Sequence, residues 1–133
     1  MKKLITSLLL VLTLGIFNPV PAQNSRLFKK AVISAFASKD FNKMAKHLHD
    51  QVIIMLVDGR FAVLKKDNAI IWLTGFTKDY PALKIEFVKY QSDMYMIFFH
   101  TVQYNEETDQ NEELIAKFLL KTSQGKILTI YIE

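Results

Sequence analysis

The half of the chain from Leu83 onward constrains the fold most, because its pattern is that of strands alone. Leu83 to Tyr90 and Glu112 to Lys121 alternate apolar with charged side chains, as strands with one buried face do. Met94 to Tyr104 lies between them and is apolar on both faces. Lys126 to Glu133 closes the chain after a polar turn. The pattern therefore predicts an antiparallel meander of four long strands.

The first half of the chain carries helical stripes instead. Ser25 to Ser38 repeats apolar residues at i, i+4 and i+8. A second amphipathic stripe follows from Phe41 to Leu48, and Asp40 is expected to cap its helix. Asp67 to Phe76 predicts a third helix. Before it, the apolar strands Val52 to Val57 and Phe61 to Leu64 flank Asp58-Gly59, which predicts a short hairpin because glycine accepts a positive φ. Separate helical and strand segments predict an α+β fold, with three N-terminal helices on an antiparallel sheet of four long strands plus a short hairpin.

The first 22 residues have the pattern of a secretory signal peptide. Lys2 and Lys3 precede the apolar run Leu4 to Phe17, and small residues stand at −3 and −1 of a cleavage site after Ala22. The apolar run is shorter than the ~20 residues that a membrane-spanning helix needs. A lipoprotein anchor needs a cysteine, and the chain has none. We therefore expect a secreted or periplasmic protein with one domain over residues 23–133 and no membrane anchor.

The charge of the chain argues against a nucleic-acid partner. The full chain has 17 basic and 13 acidic residues, and removing Lys2 and Lys3 leaves a net charge of +2. This charge is spread along the chain and forms no basic patch of the kind that binds phosphate backbones. We therefore expect no nucleic acid among the partners.

Two histidines near the middle of the chain suggest a metal site at first sight. His47 and His49 flank Leu48 and precede Asp50, and these residue types bind zinc. If Leu48 belongs to the second helix, the two histidines lie about 200° apart around its axis and cannot share one ion. We therefore expect no metal site and no cofactor.

Two segments resemble the nuclear transport factor 2-like superfamily, and within it a small secreted bacterial family of unknown function. They are FKKAVISAFASKDFNKMAKHLHDQVIIML and the closing hairpin AKFLLKTSQGKILTIYIE. The resemblance covers nearly all of residues 23–133 and is one of pattern, without a catalytic signature. It implies a curved sheet wrapped around the helices as a cystatin-like cone. It also implies a small molecule in the cone, a homodimer through the outer sheet face, or both.

Some members of the superfamily are enzymes, so the resemblance also implies two kinds of catalytic site. Steroid isomerases carry a base aspartate late on the first strand, where this sequence has Met55. Dehydratases use a histidine and an aspartate in the pocket, and His100 is the one histidine on a central strand. The sequence offers His100 no evident carboxylate partner. We therefore favour a non-enzymatic binding or assembly module, with an isomerase or dehydratase that uses His100 in the pocket as the alternative.

Two sets of residues are candidates for these roles. A pocket for a small apolar ligand is expected to be lined by Trp72, Phe76, Phe98, His100 and Phe118. Seven apolar side chains are expected on the open face of the sheet. Their apolar area exceeds the few hundred Å² of contiguous apolar surface that a monomer usually exposes. We expect a second copy to cover it, because identical patches pair about a two-fold axis, with a different envelope protein as the rival occupant. The residues expected on that face are Tyr95, Ile97, Phe99, Ile115, Leu119, Ile127 and Tyr131.

Overall fold

The computed structural model describes residues 19–133, with side chains from residue 25 onward. The chain divides into two units, residues 1–30 and 31–133, and the described part of the first unit is helical from Pro19. The predicted signal peptide lies almost wholly outside the described residues, so its cleavage stays a prediction. No helix in the described part of the chain is long and apolar enough to cross a membrane.

Three helices and six strands make up the described chain. The helices are α1 (Pro19–Ser38), a 3₁₀ helix (Phe41–His47) and α2 (Lys66–Thr77). The strands are β1 (Leu48–Leu56), β2 (Phe61–Lys65), β3 (Lys84–Gln91), β4 (Met94–Asn105), β5 (Gln110–Ser123) and β6 (Lys126–Ile132). All six strands form one sheet in the order β2-β1-β6-β5-β4-β3.

The sheet is mixed, which corrects one part of the predicted fold. β1 runs parallel to β6, whereas the other neighbouring strands are antiparallel. The predicted hairpin is therefore not a separate feature, since β1 is nine residues long and joins the hairpin to the last strand. The α+β class with helices on a sheet is confirmed. The pattern within each segment could not show the parallel pairing, because that pairing joins strands far apart in the chain.

The second helix ends one residue before its apolar stripe does. Asp40 caps it as expected, and its side chain accepts a hydrogen bond from the backbone N–H of Asn42 at 3.3 Å. Leu48 then begins β1, so the prediction that His47 and His49 lie on one helix is wrong. His49 Nε2 donates instead to the backbone carbonyl of Ser123, the last residue of β5, at 2.6 Å. Among the described side chains, no three His, Cys, Asp or Glu residues are grouped as metal ligands would be.

The core lies between the helices and one face of the sheet. Phe118 of β5 is its central aromatic residue, with its ring centroid 4.9 Å from that of Phe36 and 6.4 Å from that of Phe99. Burying one such ring removes about 150–250 Å² from water, which makes this cluster a main source of stability. The other fully buried apolar side chains are Val32, Ala35, Phe41, Met44, Leu48, Val52, Ala69, Leu73, Ile97, Leu120, Ile127 and Ile130.

Pairing with β5 decides which side chains of β4 lie in this core. Ile97 lies opposite Phe118, and Phe99 lies opposite Ala116. Ile97 and Phe99 are 0% and 2% exposed, so the expectation that they lie on the open face is wrong. Tyr95 is on the same helix-facing side and is half-buried. A shift of one residue exchanges the two faces of a strand, and the sequence analysis chose the wrong one for β4.

A β-bulge in β6 corrects a second residue of that set. Lys121 pairs with Thr129, but the next residue of β5 pairs with Ile127, so Leu128 is the extra residue. A bulge interrupts the alternation of a strand, and Ile127 therefore turns into the core and is fully buried. The expectation that Ile127 lies on the open face is wrong. Ile115, Leu119 and Tyr131 do lie on that face, exposed or half-buried.

Candidate ligand cavity

A cavity of about 230 Å³ lies between the C-terminal end of α2 and the helix-facing side of β4 and β5. Most of its wall is apolar. The aromatic part of the wall consists of Phe76, Phe99 and Phe118, and the hydroxyl groups at the cavity come from Thr77, Tyr80 and Thr101. Phe76 and Phe118 are thus where the sequence analysis placed them, at a cavity.

The last turn of α2 brings two of these residues to the cavity. The ring of Phe76 stands edge-on to that of Phe118, with centroids 6.1 Å apart. Thr77 is buried, and its hydroxyl donates to the carbonyl of Leu73 one turn earlier at 2.9 Å. Because that bond uses the hydroxyl proton, the oxygen of Thr77 can offer a ligand only its acceptor side.

The segment after α2 carries Tyr80 and is tied to the end of α1. The backbone N–H of Tyr80 donates to the carbonyl of Thr77 at 3.1 Å. Lys39 Nζ donates to the carbonyl of Tyr80 at 3.0 Å and to that of Lys78 at 3.4 Å. These bonds hold Tyr80 at the cavity from two elements, although the sequence around Tyr80-Pro81 indicates only a connection.

Two of the described side chains around the cavity are ionisable, namely Tyr80 and Glu133. Glu133 Oε1 lies 3.2 Å from Lys117 Nζ, so its charge is already paired. The cavity therefore offers apolar contact and hydroxyl hydrogen bonds.

A second cavity, of about 140 Å³, lies between the β1–β2 hairpin and α2. Its apolar wall is formed by Ile54, Leu56, Leu64 and Trp72, with Arg60 also at its wall. Trp72 therefore lines this smaller cavity and not the larger one. The expectation that Trp72 and Phe76 line one pocket is therefore wrong for Trp72, because the helical spacing alone cannot separate two neighbouring cavities.

His100 lies on the opposite face of the sheet from both cavities. It pairs with Ile115 of β5, and its Nε2 donates to Glu86 Oε1 at 2.6 Å. The hydrogen bond from His100, with help from the nearby charge of Lys84, lowers the pKa of Glu86. Phe98 is on this face too, opposite Lys117. The expectation that Phe98 and His100 line the pocket is therefore wrong, for the same reason of register.

Glu86 is the carboxylate partner of His100 that the sequence analysis did not find. The register of the β3–β4 hairpin indicates this contact between Glu86 and His100. A turn centred on Ser92 sets Lys84 opposite His100, and Glu86 then lies diagonally beside the histidine. Pairing the two strands through their turn would have identified the contact.

The sheet face opposite the helices carries a row of apolar residues that crosses all six strands, which we call the outer row. In order across the sheet it consists of Val88, Met96, Leu119, Tyr131, Met55 and Phe61. Its two end residues, Val88 and Phe61, are 45% and 65% exposed. Charges of both signs border the row, with Glu86 and Lys117 on one side. Met55, where isomerases carry their base, faces outward as part of this row.

Comparison with known proteins shows the fold and the family. Residues 29–133 match the family described as a domain of unknown function, DUF4783. A comparison with curated proteins finds no match. A DUF4783 family protein from Bacteroides ovatus is 17% identical, with a TM-score of 0.51, and the match covers 77% of this chain and 90% of that chain.

Two further solved structures are similar. An NTF2-like protein of unknown function from Cytophaga hutchinsonii is 14% identical, with a TM-score of 0.60, and the match covers 79% of this chain and 94% of that chain. A protein from Jannaschia described as a SnoaL-like polyketide cyclase is 10% identical, with a TM-score of 0.64, and the match covers 87% of this chain and 88% of that chain. At these identities the likeness shows the fold alone. The fold that the resemblance to nuclear transport factor 2-like proteins implied is confirmed.

Proposed function

The chain belongs to the DUF4783 family, and we propose that it is a binding module that holds a small apolar ligand in the larger cavity. The observation that carries this proposal is the composition of the wall, in which three aromatic rings stand with three hydroxyl-bearing residues. Ligand sites are typically concave and mostly apolar, with a few polar groups that orient the ligand. An apolar cavity of about 150 Å³ already accepts benzene. A cavity of about 230 Å³ therefore suits a molecule of one or two rings with a hydroxyl group.

The position of His100 supports binding over catalysis in this cavity. The alternative function, an isomerase or dehydratase, relies on His100 as the ionisable group in the pocket. His100 is on the outer face and bonds to Glu86 there. The hydroxyl of Tyr80 and the paired carboxylate of Glu133 remain as ionisable groups at the larger cavity. Neither arrangement supplies a histidine–carboxylate pair to a ligand bound between α2 and the sheet.

Calorimetric titration with naphthol, a two-ring alcohol, tests the proposal. We expect naphthol to bind the wild-type protein and to bind the Ala116→Leu variant at least tenfold more weakly, because the added side chain occupies the cavity. Ala37→Leu is the matched control, since Ala37 is exposed on α1, and it should bind as the wild type does. Absence of binding to the wild type, or equal affinity in Ala116→Leu, would refute the proposal.

We also propose that two copies associate through the outer row. Five strand spacings of about 4.8 Å make this row roughly 24 Å wide, which is broad for an exposed apolar surface. Both signs of charge border it, so a second copy meets a face that does not repel it uniformly. Identical surfaces pair about a two-fold axis. A different envelope protein is the other possible occupant.

Light scattering at micromolar concentration tests the association. We expect a dimer for the wild type and a folded monomer for Met96→Lys combined with Leu119→Lys, because two buried charges in an apolar interface are unfavourable. Gln91→Lys combined with Gln103→Lys adds the same charge at exposed polar positions and should stay dimeric. A monomeric wild type would end the proposal, and a dimer that survives the first pair of substitutions would place the interface elsewhere.

Export remains part of the proposal. The pattern of residues 1–22 supports cleavage after Ala22, and N-terminal sequencing of the secreted protein should begin at Gln23. A protein that still begins at Met1, or that is recovered with membranes, would contradict this.

A further inference from the structure

A stacked pair of aromatic rings contributes one ring to the wall of each cavity. Trp72 lines the smaller cavity and Phe76 the larger one. Their rings are stacked, with centroids 5.0 Å apart and planes inclined by 11°. The residues lie one helical turn apart on α2, so the stack runs along the helix from one cavity towards the other. Phe76 is 38% exposed and is therefore not locked in the core.

The sheet beneath the stack is continuous from one cavity to the other. Leu56 of β1 lines the smaller cavity and Phe118 of β5 lines the larger one. Ile132 of β6 pairs with both of them. The two cavities are thus two strand spacings apart, about 10 Å, over one apolar floor. Together their volumes exceed the roughly 300 Å³ at which typical ligand sites begin.

The smaller cavity has a cation at its wall. Arg60 Nε lies 2.7 Å from Asp58 Oδ2, which holds the guanidinium beside the β1–β2 turn. A guanidinium has five N–H donors arranged as a fork, and Asp58 takes the one on Nε. The terminal nitrogens are those that bind a carboxylate in bidentate geometry. The groove therefore has an apolar interior and, at one end, a guanidinium that is paired with Asp58 through Nε and keeps its terminal N–H groups for a ligand.

We propose that the two cavities form one groove, divided by the Trp72–Phe76 stack, and that its ligand is an elongated apolar carboxylate. The carboxylate binds Arg60, and the apolar chain passes the stack and ends against Phe118. The inference rests on the proposed binding function and extends it, because it specifies the length and the charge of the ligand. A short ligand fills the larger cavity alone and leaves the stack closed.

The fluorescence of Trp72 reports on the groove directly, because Trp72 is the single tryptophan of the chain. Decanoate, below its critical micelle concentration, should shift the Trp72 emission of the wild type. Arg60→Gln should weaken decanoate about tenfold and leave decanol, which has the same chain and no charge, unchanged. Arg26→Gln removes the other arginine, which is exposed on α1, and should change neither affinity.

A second variant tests whether the Trp72–Phe76 stack divides the groove. Phe76→Ala removes half of the stack, and we expect it to bind decanoate and decanol several-fold more tightly than the wild type does. Circular dichroism establishes that each variant is folded before titration. The proposed groove would be contradicted if decanoate leaves the Trp72 emission unchanged. It would also be contradicted if Arg60→Gln and Arg26→Gln weaken decanoate binding equally. If naphthol binds and decanoate does not, the groove is wrong while the binding function stands; if neither binds, both are wrong.

Discussion

The two faces of β4 have nearly the same composition and different surroundings. Ile97 and Phe99 are buried under the helices, whereas Met96 and Phe98 point to the other side and are half-buried. The first pair lies opposite Phe118 and Ala116, at the core and the larger cavity. The second pair lies among charged residues on the face that carries the outer row. Hydrophobicity alone therefore does not tell which face of a central strand is the core.

Cross-strand partners decide which face of β4 lies in the core. β5 has a clear polar side, marked by Lys117 and Lys121, and its alternation predicts the correct core face. Because residues opposite each other on paired strands share a face, the pairing of β4 with β5 identifies the core face of β4. The largest difference between the two faces should be in stability, the next in the polar groups they bury, and the smallest in titration behaviour.

Replacing one phenylalanine on each face should give the largest effect. Phe118→Ala should lower the free energy of unfolding by about 3–5 kcal/mol, because it leaves a cavity among buried rings. Phe98→Ala should cost only about 1 kcal/mol, because its side chain is half-buried. Urea denaturation measures both, in the Met96→Lys, Leu119→Lys background so that association does not contribute. Equal costs at the two positions would contradict the assignment of the faces.

A smaller effect is expected at Thr101, a buried polar residue on the helix-facing side. Its hydroxyl is 3.5 Å from the nearest carbonyl acceptor that the structure gives it, which is a weak hydrogen bond. Thr101→Val keeps the shape of the side chain and removes a weakly satisfied polar group, so we expect stability to rise by about 1 kcal/mol. Thr108→Val, at an exposed turn, is the control and should change little. A loss of stability in Thr101→Val would show that the hydroxyl is bonded more strongly than the geometry indicates.

The outer face should show the smallest effect, a shifted carboxyl titration. The hydrogen bond from His100 holds the pKa of Glu86 below its ordinary value of 4.5. Because folding favours the ionised form, the stabilisation is present above the unfolded pKa and is lost as the pH falls through the lowered pKa. Carbon-detected NMR should show the Glu86 pKa rising in His100→Leu and unchanged in His49→Leu. An unchanged value in both would mean that the pair does not form in solution.

Local features of the fold were predictable from the sequence, and long-range ones were not. The helix over Asp67 to Phe76, the cap at Asp40 and the turn at Gly59, where φ is 91°, follow from residues within one or two turns. The parallel pairing of β1 with β6 and the bulge at Leu128 depend on strands that are distant in sequence. The parallel pairing does not alter the pattern within either strand, and because Ile127 and Leu128 are both apolar the pattern does not show which of them is the extra residue.

The residues of the candidate site also fall into those that the local pattern predicts and those that it does not. Phe76 and Phe118 were predicted at a cavity because one belongs to an amphipathic helix and the other to a clearly alternating strand. Phe98 and His100 were misplaced because β4 is apolar on both faces and offers no internal marker. Tyr80 was not predicted at all, since its position depends on the contact between Lys39 and the segment after α2.

The central claim, that a ligand binds between α2 and the helix-facing side of the sheet, is tested most directly by NMR of the naphthol complex. Intermolecular nuclear Overhauser effects should connect naphthol protons to the methyl groups of Leu114 and Ala116, which line the larger cavity. Leu119 and Ile53 point to the opposite face and should show none. Contacts to Leu119 and Ile53 without contacts to Leu114 and Ala116 would contradict the account.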